Sequence, residues 1–260
     1  MKKLLRFMLI ATPLFLTLTS CSLNSKENNT ESTSELTLSV AASLKESMLE
    51  IKELFEKEHT NIALNLNFGS SGSLQQQIEQ GAPCNLFISA GQSQMNALEE
   101  KGLIENNTRK DLLKNALVLI GSPNSNISDI QDLTTDKVKH IAIGEPASVP
   151  AGKYADEVIT NLNIKDTISD KLVFAKDVKE VLSWVSTDNA EVGFVYKSDT
   201  IAANSIKVIK EFPDTLHSPI NYPIAIIKDN SDMDNTKKLY DYLNTDEAKE
   251  IFKKYGYEVF

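Results

Sequence analysis

The stretch Leu36-Thr-Leu-Ser-Val-Ala-Ala-Ser-Leu-Lys-Glu46 changes period in the middle. Leu36–Ala42 alternates apolar and small residues, the pattern of a strand. Ser43-Leu44-Lys45-Glu46 then has the Ser-x-x-Glu form of a capping box and opens a helix to about Glu58. The design repeats at once. Ile62–Phe68 reads as a strand, Gly69-Ser-Ser-Gly-Ser73 as a turn, and a helix runs from Leu74 to Gly81. Downstream, Asn85–Ala90 is extended, 93–101 and 107–114 are helical, and Ala116–Gly121 is extended. His140–Gly144 is a strand, followed by the loop 145–150 and a helix over Ala151–Asn161. Lys171–Ala175 leads into a helix over Asp177–Ser186; Val192–Tyr196, Ile206–Ile209 and Tyr222–Ile227 are strands; 232–243 and 246–255 are helices. Strand–helix alternation of this kind implies an α/β fold with parallel sheets and right-handed crossovers. Ligands of such sheets collect beyond the carboxyl ends of the strands. The elements suffice for two lobes with a cleft between them.

Upstream of this body, residues 1–20 combine a basic start (Lys2, Lys3, Arg6) with an apolar stretch from Phe7 to Leu18. That is the form of an export signal, and the stretch is short for a membrane span. Leu18-Thr-Ser-Cys21 resembles a bacterial lipoprotein cleavage box, which implies a lipid on Cys21 and attachment to the outer side of the cell membrane. Residues 22–35 hold almost nothing apolar and read as a flexible tether, so 21–35 is expected to join anchor to body.

Composition removes several classes of function. The 260 residues carry 27 Lys and Arg against 36 Asp and Glu, a net charge of −9, which disfavours nucleic-acid binding. Two cysteines, Cys21 and Cys84, make no disulfide framework, and three scattered histidines make no zinc site. His59, His140 and His217 form no triad with a serine, Gly69-Ser-Ser-Gly-Ser lacks the Lys-Ser/Thr of a P-loop, and Ser71 lacks a nucleophile elbow. Cys84 and Trp184 read as packing residues.

What remains is a set of strand-to-helix junctions at Ser43, Ser71, Ala151 and Val178. Helix N-termini carry unpaired N–H groups and partial positive charge, and several converging on one cleft would hold an anion without lysine or arginine. Spacing alone equally permits, and for the serines favours, simple helix capping.

The whole body resembles the molybdate-binding proteins of bacterial ABC importers, the ModA family. The resemblance is carried by Ala41-Ala-Ser-Leu44, Phe68-Gly-Ser-Ser-Gly-Ser-Leu74, Gln77-Ile-Glu-Gln-Gly-Ala-Pro83 and Asn85-Leu-Phe-Ile-Ser-Ala90. It continues through Val149-Pro-Ala-Gly-Lys-Tyr154, Asp177-Val178, Gly193-Phe-Val-Tyr-Lys-Ser-Asp199 and Ile251-Phe-Lys-Lys-Tyr-Gly256. It implies the two-lobed periplasmic-binding-protein fold of type II, with lobe one at 36–117 plus 222–260 and lobe two at 118–221. The crossings then fall near Leu117–Ile120 and Tyr222–Ile226. It also implies a monomeric binding protein, not an enzyme, that holds molybdate or tungstate as ligand, uses no cofactor and serves a membrane permease with its ATPase. Carried over by motif, the oxyanion ligands are the hydroxyls of Ser43, Ser71 and Tyr196 and the backbone N–H groups at Ala151 and Val178. Sulfate is the rival within the class, and a serine hydrolase using Ser43 or Ser71 the rival outside it.

Overall fold

The computed structural model describes residues 33–201, 203–228 and 231–260. The signal segment, Cys21 and the tether up to Ser32 lie outside the described residues. No described helix is long and apolar enough to cross a membrane.

Two mixed sheets organise the body. The strands are β1 (Ser34–Ala41), β2 (Ile62–Gly69), β3 (Leu86–Ile88), β4 (Lys110–Lys114), β5 (Leu117–Gly121), β6 (Ile141–Gly144), β7 (Leu172–Ala175), β8 (Val192–Tyr196), β9 (Lys207–Glu211), β10 (Asn221–Ile226) and β11 (Glu258–Val259). The first sheet has the order β11-β4-β10-β3-β1-β2 and the second β7-β6-β8-β5-β9. Parallel pairs at the heart of each sheet, β1 with β2 and β3, β6 with β7 and β8, are joined through helices as the alternation predicts. These helices are α1 (Lys45–Glu58), α2 (Ser71–Glu79), α3 (Gln92–Glu100), α4 (Pro150–Asn161), α5 (Lys165–Ile168), α6 (Val178–Ser186), α7 (Lys197–Ile201), α8 (Met233–Tyr242) and α9 (Asp246–Lys254). Strands buried on both faces supply the core: every residue of β5, β6 and β8 is buried.

The strands at Leu117–Gly121 and Asn221–Ile226 each lie wholly in one sheet. The chain passes between the sheets beside them, at Asn115–Ala116 and again between Glu211 and Asn221. The two passages run side by side, with Asn115 N–H donating to the Ile220 carbonyl at 3.0 Å.

Four sequence readings are corrected. Residues 107–114 do not form a helix. Asn107 takes a left-handed φ of 62°, and Lys110–Lys114 becomes β4, paired with β10 and β11. Long-range pairing outweighs a weak local preference there. The Ser43 capping box does not form either. A 3₁₀ turn over Ala42–Leu44 precedes α1, and Leu44 stands at its N-cap with no side-chain cap. Finally, α2 starts at Ser71 rather than Leu74, because Ser70 caps it by accepting the Ser73 N–H at 3.3 Å. β1 also begins at Ser34, earlier than its apolar run, because Ser34 pairs with Ile62 across β2. Trp184 is half-buried against the core, and Cys84 is buried with its thiol on the Leu86 carbonyl.

α4 meets the end of β6 backbone to backbone. A Cβ on Gly152 would stand 1.9 Å from the Gly144 carbonyl oxygen, and one on Gly144 would stand 2.4 Å from Val149 Cγ1. This close approach needs glycine on both sides and fixes the first turn of α4. Gly152→Ala should therefore destabilise the fold by roughly 1–3 kcal/mol or more, as overpacking does. Chemical denaturation of the ligand-free protein tests this, and an unmoved midpoint would contradict the packing described.

Candidate functional site: a pocket of hydrogen-bond donors

The first sheet delivers two serines to one place. β1 runs out through Ala41 into the 3₁₀ turn, which buries Ser43 and sets its Oγ 3.0 Å from the Tyr222 hydroxyl. Tyr257 secures the same turn by donating its hydroxyl to the Ser43 carbonyl at 2.9 Å. β2, parallel to β1, ends at Gly69 and passes through Ser70 to Ser71, the first residue of α2. The Ala90 N–H, just beyond β3, donates to Ser71 Oγ at 2.9 Å. A hydroxyl that accepts from a backbone amide keeps its own proton for another acceptor.

The second sheet supplies three more groups. Pro150 occupies the first position of α4, where its lack of an N–H costs nothing, so Ala151 presents the first amide of that helix. Val178 opens α6 behind Asp177, whose carboxylate accepts the Glu180 N–H at 2.9 Å. With that cap made at the third position, the amides of the first turn face outward along the helix axis. Tyr196 ends β8, is 1% exposed, and donates its hydroxyl to the Ala90 carbonyl at a long 3.4 Å. Burial pushes its hydroxyl well above the usual tyrosine range, so it stays a donor at neutral pH.

All five groups read from the sequence line one small pocket. Ala41, Ala42, Gly69, Ser70, Ala90, Val149, Pro150 and Asp177 complete the wall. No lysine, arginine or histidine is among them. Asp177 is the single carboxylate, and it is engaged as the cap of α6. Ala90 was not singled out from the sequence, although it stands where β3 ends, the same strand-end position as the others. It is central to the wall, since its N–H fixes Ser71 and its carbonyl receives Tyr196.

Two contacts tie the walls together. Gly72 N–H donates to the Ser148 carbonyl at 2.9 Å, and a Cβ on Gly72 would stand 2.5 Å from that oxygen. Lys179, next to Val178, sits 2.7 Å from Glu46 and 3.0 Å from Asp199, which is 1% exposed. Asp199 also accepts the Tyr196 N–H at 3.1 Å. Burial raises the Asp199 carboxyl, while Lys179 opposes this. Burial pulls Lys179 down, but Asp199 and Glu46 outweigh it, and the net shift is upward, so the ammonium holds its proton. Lys179 is thus engaged by two carboxylates. The serine-hydrolase alternative finds no support in this geometry. None of the three histidines lines the pocket, and His217 is turned toward Tyr154 and the Ser218 carbonyl.

The family described as bacterial extracellular solute-binding protein matches residues 36–258. A relative from Bacillus subtilis, YvgL, provisionally described as an ABC transporter substrate-binding lipoprotein, is 39% identical, over 94% of both chains. The molybdate-binding protein ModA of Escherichia coli is 38% identical, over 86% of this chain and 89% of its own. Among solved structures, one provisionally described as the substrate-binding domain of a molybdenum ABC transporter from Clostridium difficile superposes with a TM-score of 0.68 at 57% identity. It covers 87% of this chain and 99% of its own. The two mixed α/β sheets are those of the periplasmic-binding-protein fold, and they agree with the fold read from the sequence. With the match running almost the full length of the body, the chain belongs to the bacterial extracellular solute-binding proteins, a family of binding proteins rather than enzymes.

Proposed function

We propose that this protein captures molybdate outside the cell membrane and delivers it to the permease and ATPase of an ABC importer. The observation that carries the reading is that Ser43, Ser71, Ala151, Val178 and Tyr196 line one pocket with no cation in its wall. Molybdate is a fully deprotonated dianion at neutral pH, so every partner must donate a hydrogen bond. Serine and tyrosine hydroxyls and backbone amides all do so. Charge-assisted bonds of this kind contribute roughly 1.5–3 kcal/mol each. In this reading Ser43 and Ser71 bind through their hydroxyls, Tyr196 through a hydroxyl whose proton turns from the Ala90 carbonyl to the ligand, and Ala151 and Val178 through their N–H groups. The names of the relatives support the same ligand.

The proposal extends to the architecture. Residues 36–117 with 222–260 form one lobe and 118–221 the other, and each contributes part of the shell. Ligand binding and closure are then one equilibrium, because only the closed form completes the shell, and the closed form is what the permease recognises. The protein acts as a monomer. Cys21 carries the lipid and 22–35 the reach from membrane to body; the lipoprotein description of the Bacillus subtilis relative supports this.

Tyr196→Phe keeps the ring and removes one donor. Molybdate binding should weaken by roughly 1–3 kcal/mol while the ligand-free protein keeps its stability. Calorimetry with the wild type as reference measures this, and unchanged affinity would remove Tyr196 from the shell.

The shell should also select by size. Sulfate offers the same charge and the same four acceptors on shorter bonds, and amides anchored in helices cannot follow it inward. Each donor left unpaired in a closed site costs about 1–3 kcal/mol, so two such losses give a preference on the order of a hundredfold. Molybdate and tungstate should bind alike, sulfate far more weakly and phosphate negligibly. Competitive calorimetry distinguishes these outcomes, and sulfate binding as tightly as molybdate would overturn the substrate assignment while leaving the fold untouched.

For the anchor, Cys21→Ala expressed in the native membrane should no longer incorporate a labelled fatty acid. Undiminished labelling would place the lipid elsewhere.

A further inference from the structure

Behind the pocket wall, outside the pocket itself, a chain of hydrogen bonds runs from the passage between the two sheets to Ser43. It begins at Asn115. The side-chain oxygen of Asn115 accepts the Ala116 N–H at 2.9 Å and the Ser198 N–H at 3.4 Å. Backbone amides can only donate, so these two contacts fix which end of the amide is oxygen. The Asn115 NH₂ group must then face the other way. It donates to Ser198 Oγ at 2.8 Å and to the Tyr222 hydroxyl oxygen at 3.2 Å.

Tyr222 is fully buried, and burial pushes its hydroxyl well above the usual tyrosine range, so it carries one proton. Its oxygen has already received a hydrogen bond from Asn115. Ser43 Oγ lies 3.0 Å away, and the Tyr257 hydroxyl, which donates to the Ser43 carbonyl, stands beside the same serine. Two arrangements of protons satisfy this pair. In one, Ser43 donates back to Tyr222. In the other, Tyr222 donates to Ser43, and the Ser43 proton points into the pocket. An oxyanion in the pocket decides between them, because a bond to an ionised acceptor is roughly twice as strong as one between neutral groups. The competing acceptor for the Tyr222 proton is Tyr196, whose ring stands edge-on at 5.7 Å between centroids.

We propose that Tyr222, itself oriented by Asn115, is a positioning residue that locks Ser43 as a donor toward the pocket and thereby disfavours protonated oxyanions. The polarity runs one way: Ala116 and Ser198 N–H to Asn115, Asn115 to Tyr222, Tyr222 to Ser43, Ser43 to the ligand. Ser71 has the same polarity from a simpler source, the Ala90 N–H. With one lone pair of each serine oxygen filled from behind and its proton directed into the pocket, each serine meets the ligand as a donor rather than as an acceptor for the proton of a species such as monohydrogen phosphate. This proposal rests on the reading of Ser43 as a ligand.

The test is a double-mutant cycle on the purified protein, with molybdate and inorganic phosphate as probes. Tyr222→Phe keeps the ring and leaves Asn115 bonded to Ser198 Oγ. It should weaken molybdate binding about tenfold and narrow the preference for molybdate over phosphate. In a Ser43→Ala background the same change should cost nothing, because the group it orients is gone. An equal loss in both backgrounds would mean that Tyr222 acts through packing, and unchanged binding and selectivity in Tyr222→Phe would mean that its hydroxyl orients nothing; either overturns the proposal. Ser43→Ala with unaltered molybdate affinity is a separate result, which would remove the ligand reading of Ser43 and the proposal with it. Should Tyr222→Phe not fold, the unmodified protein decides. With molybdate bound, NMR on tyrosine-labelled protein should place the Tyr222 hydroxyl proton against the Ser43 methylene. A proton directed at Tyr196 instead would overturn the inferred polarity.

Discussion

An ion that only accepts hydrogen bonds can be buried without a counter-cation only if the polar groups around it donate, and the pocket wall fits that requirement of the proposed function. Amides satisfy it by nature, provided a helix begins at the right spot. Hydroxyls do not, since each can turn and accept instead. The pocket answers both demands. α4 and α6 begin at the wall with Ala151 and Val178 in their first turns. The hydroxyls are backed from behind, Ser71 by the Ala90 amide and Ser43 by Tyr222. Helix-terminal charge is modest, roughly 0.3–1 kcal/mol for one exposed terminus. In the proposed function, several such termini on a small buried volume, with little water to screen them, would reinforce one another.

The ionic groups nearby fit this picture. Lys179 could have reached for the ligand as a point charge. Instead it joins Glu46, shortly after Ser43, to Asp199, shortly after Tyr196, while standing beside Val178. One ammonium therefore braces three segments that line the pocket. Removing either carboxylate would leave an imbalance in a largely buried group, the costly situation for such pairs. Its arrangement suits a structural brace rather than a direct ligand.

Much of this was legible in the sequence because strand-to-helix junctions are local features. Ala151 and Val178 could be placed at helix starts from a few neighbours each, Ser71 only at a strand-to-helix junction, and the choice of these positions as ligands rests on the resemblance to the molybdate-binding proteins. What was missed depends on partners far away in the chain. Ser43 has the local form of a helix cap, yet its hydroxyl is taken by Tyr222, 179 positions on. Lys110–Lys114 has no decisive period of its own and becomes a strand because β10 and β11 flank it. Asn115 gives no signal at all in isolation, since its role follows from two amides fixing one end of its side chain and a tyrosine 107 positions away meeting the other. The pattern of a sequence reports periodicity and punctuation. It does not report which of two possible hydrogen-bond partners a hydroxyl will choose.

The contact between Gly72 and Ser148 sets a limit of a different kind. It joins main chain to main chain, 2.9 Å from nitrogen to oxygen, with no side chain between that could compress or swing aside. If the pocket closes on an ion as proposed, its walls meet on this hard stop rather than on their cargo. A receptor that closed until it touched its ligand would grip ions of many radii, each at a slightly different spacing. One that closes against its own backbone works as a fixed gauge: the opening has a single calibre, and an ion either spans it or rattles. Under the proposed function, discrimination between ions of equal charge and shape would then be a matter of length alone, set by main chain before any ion arrives.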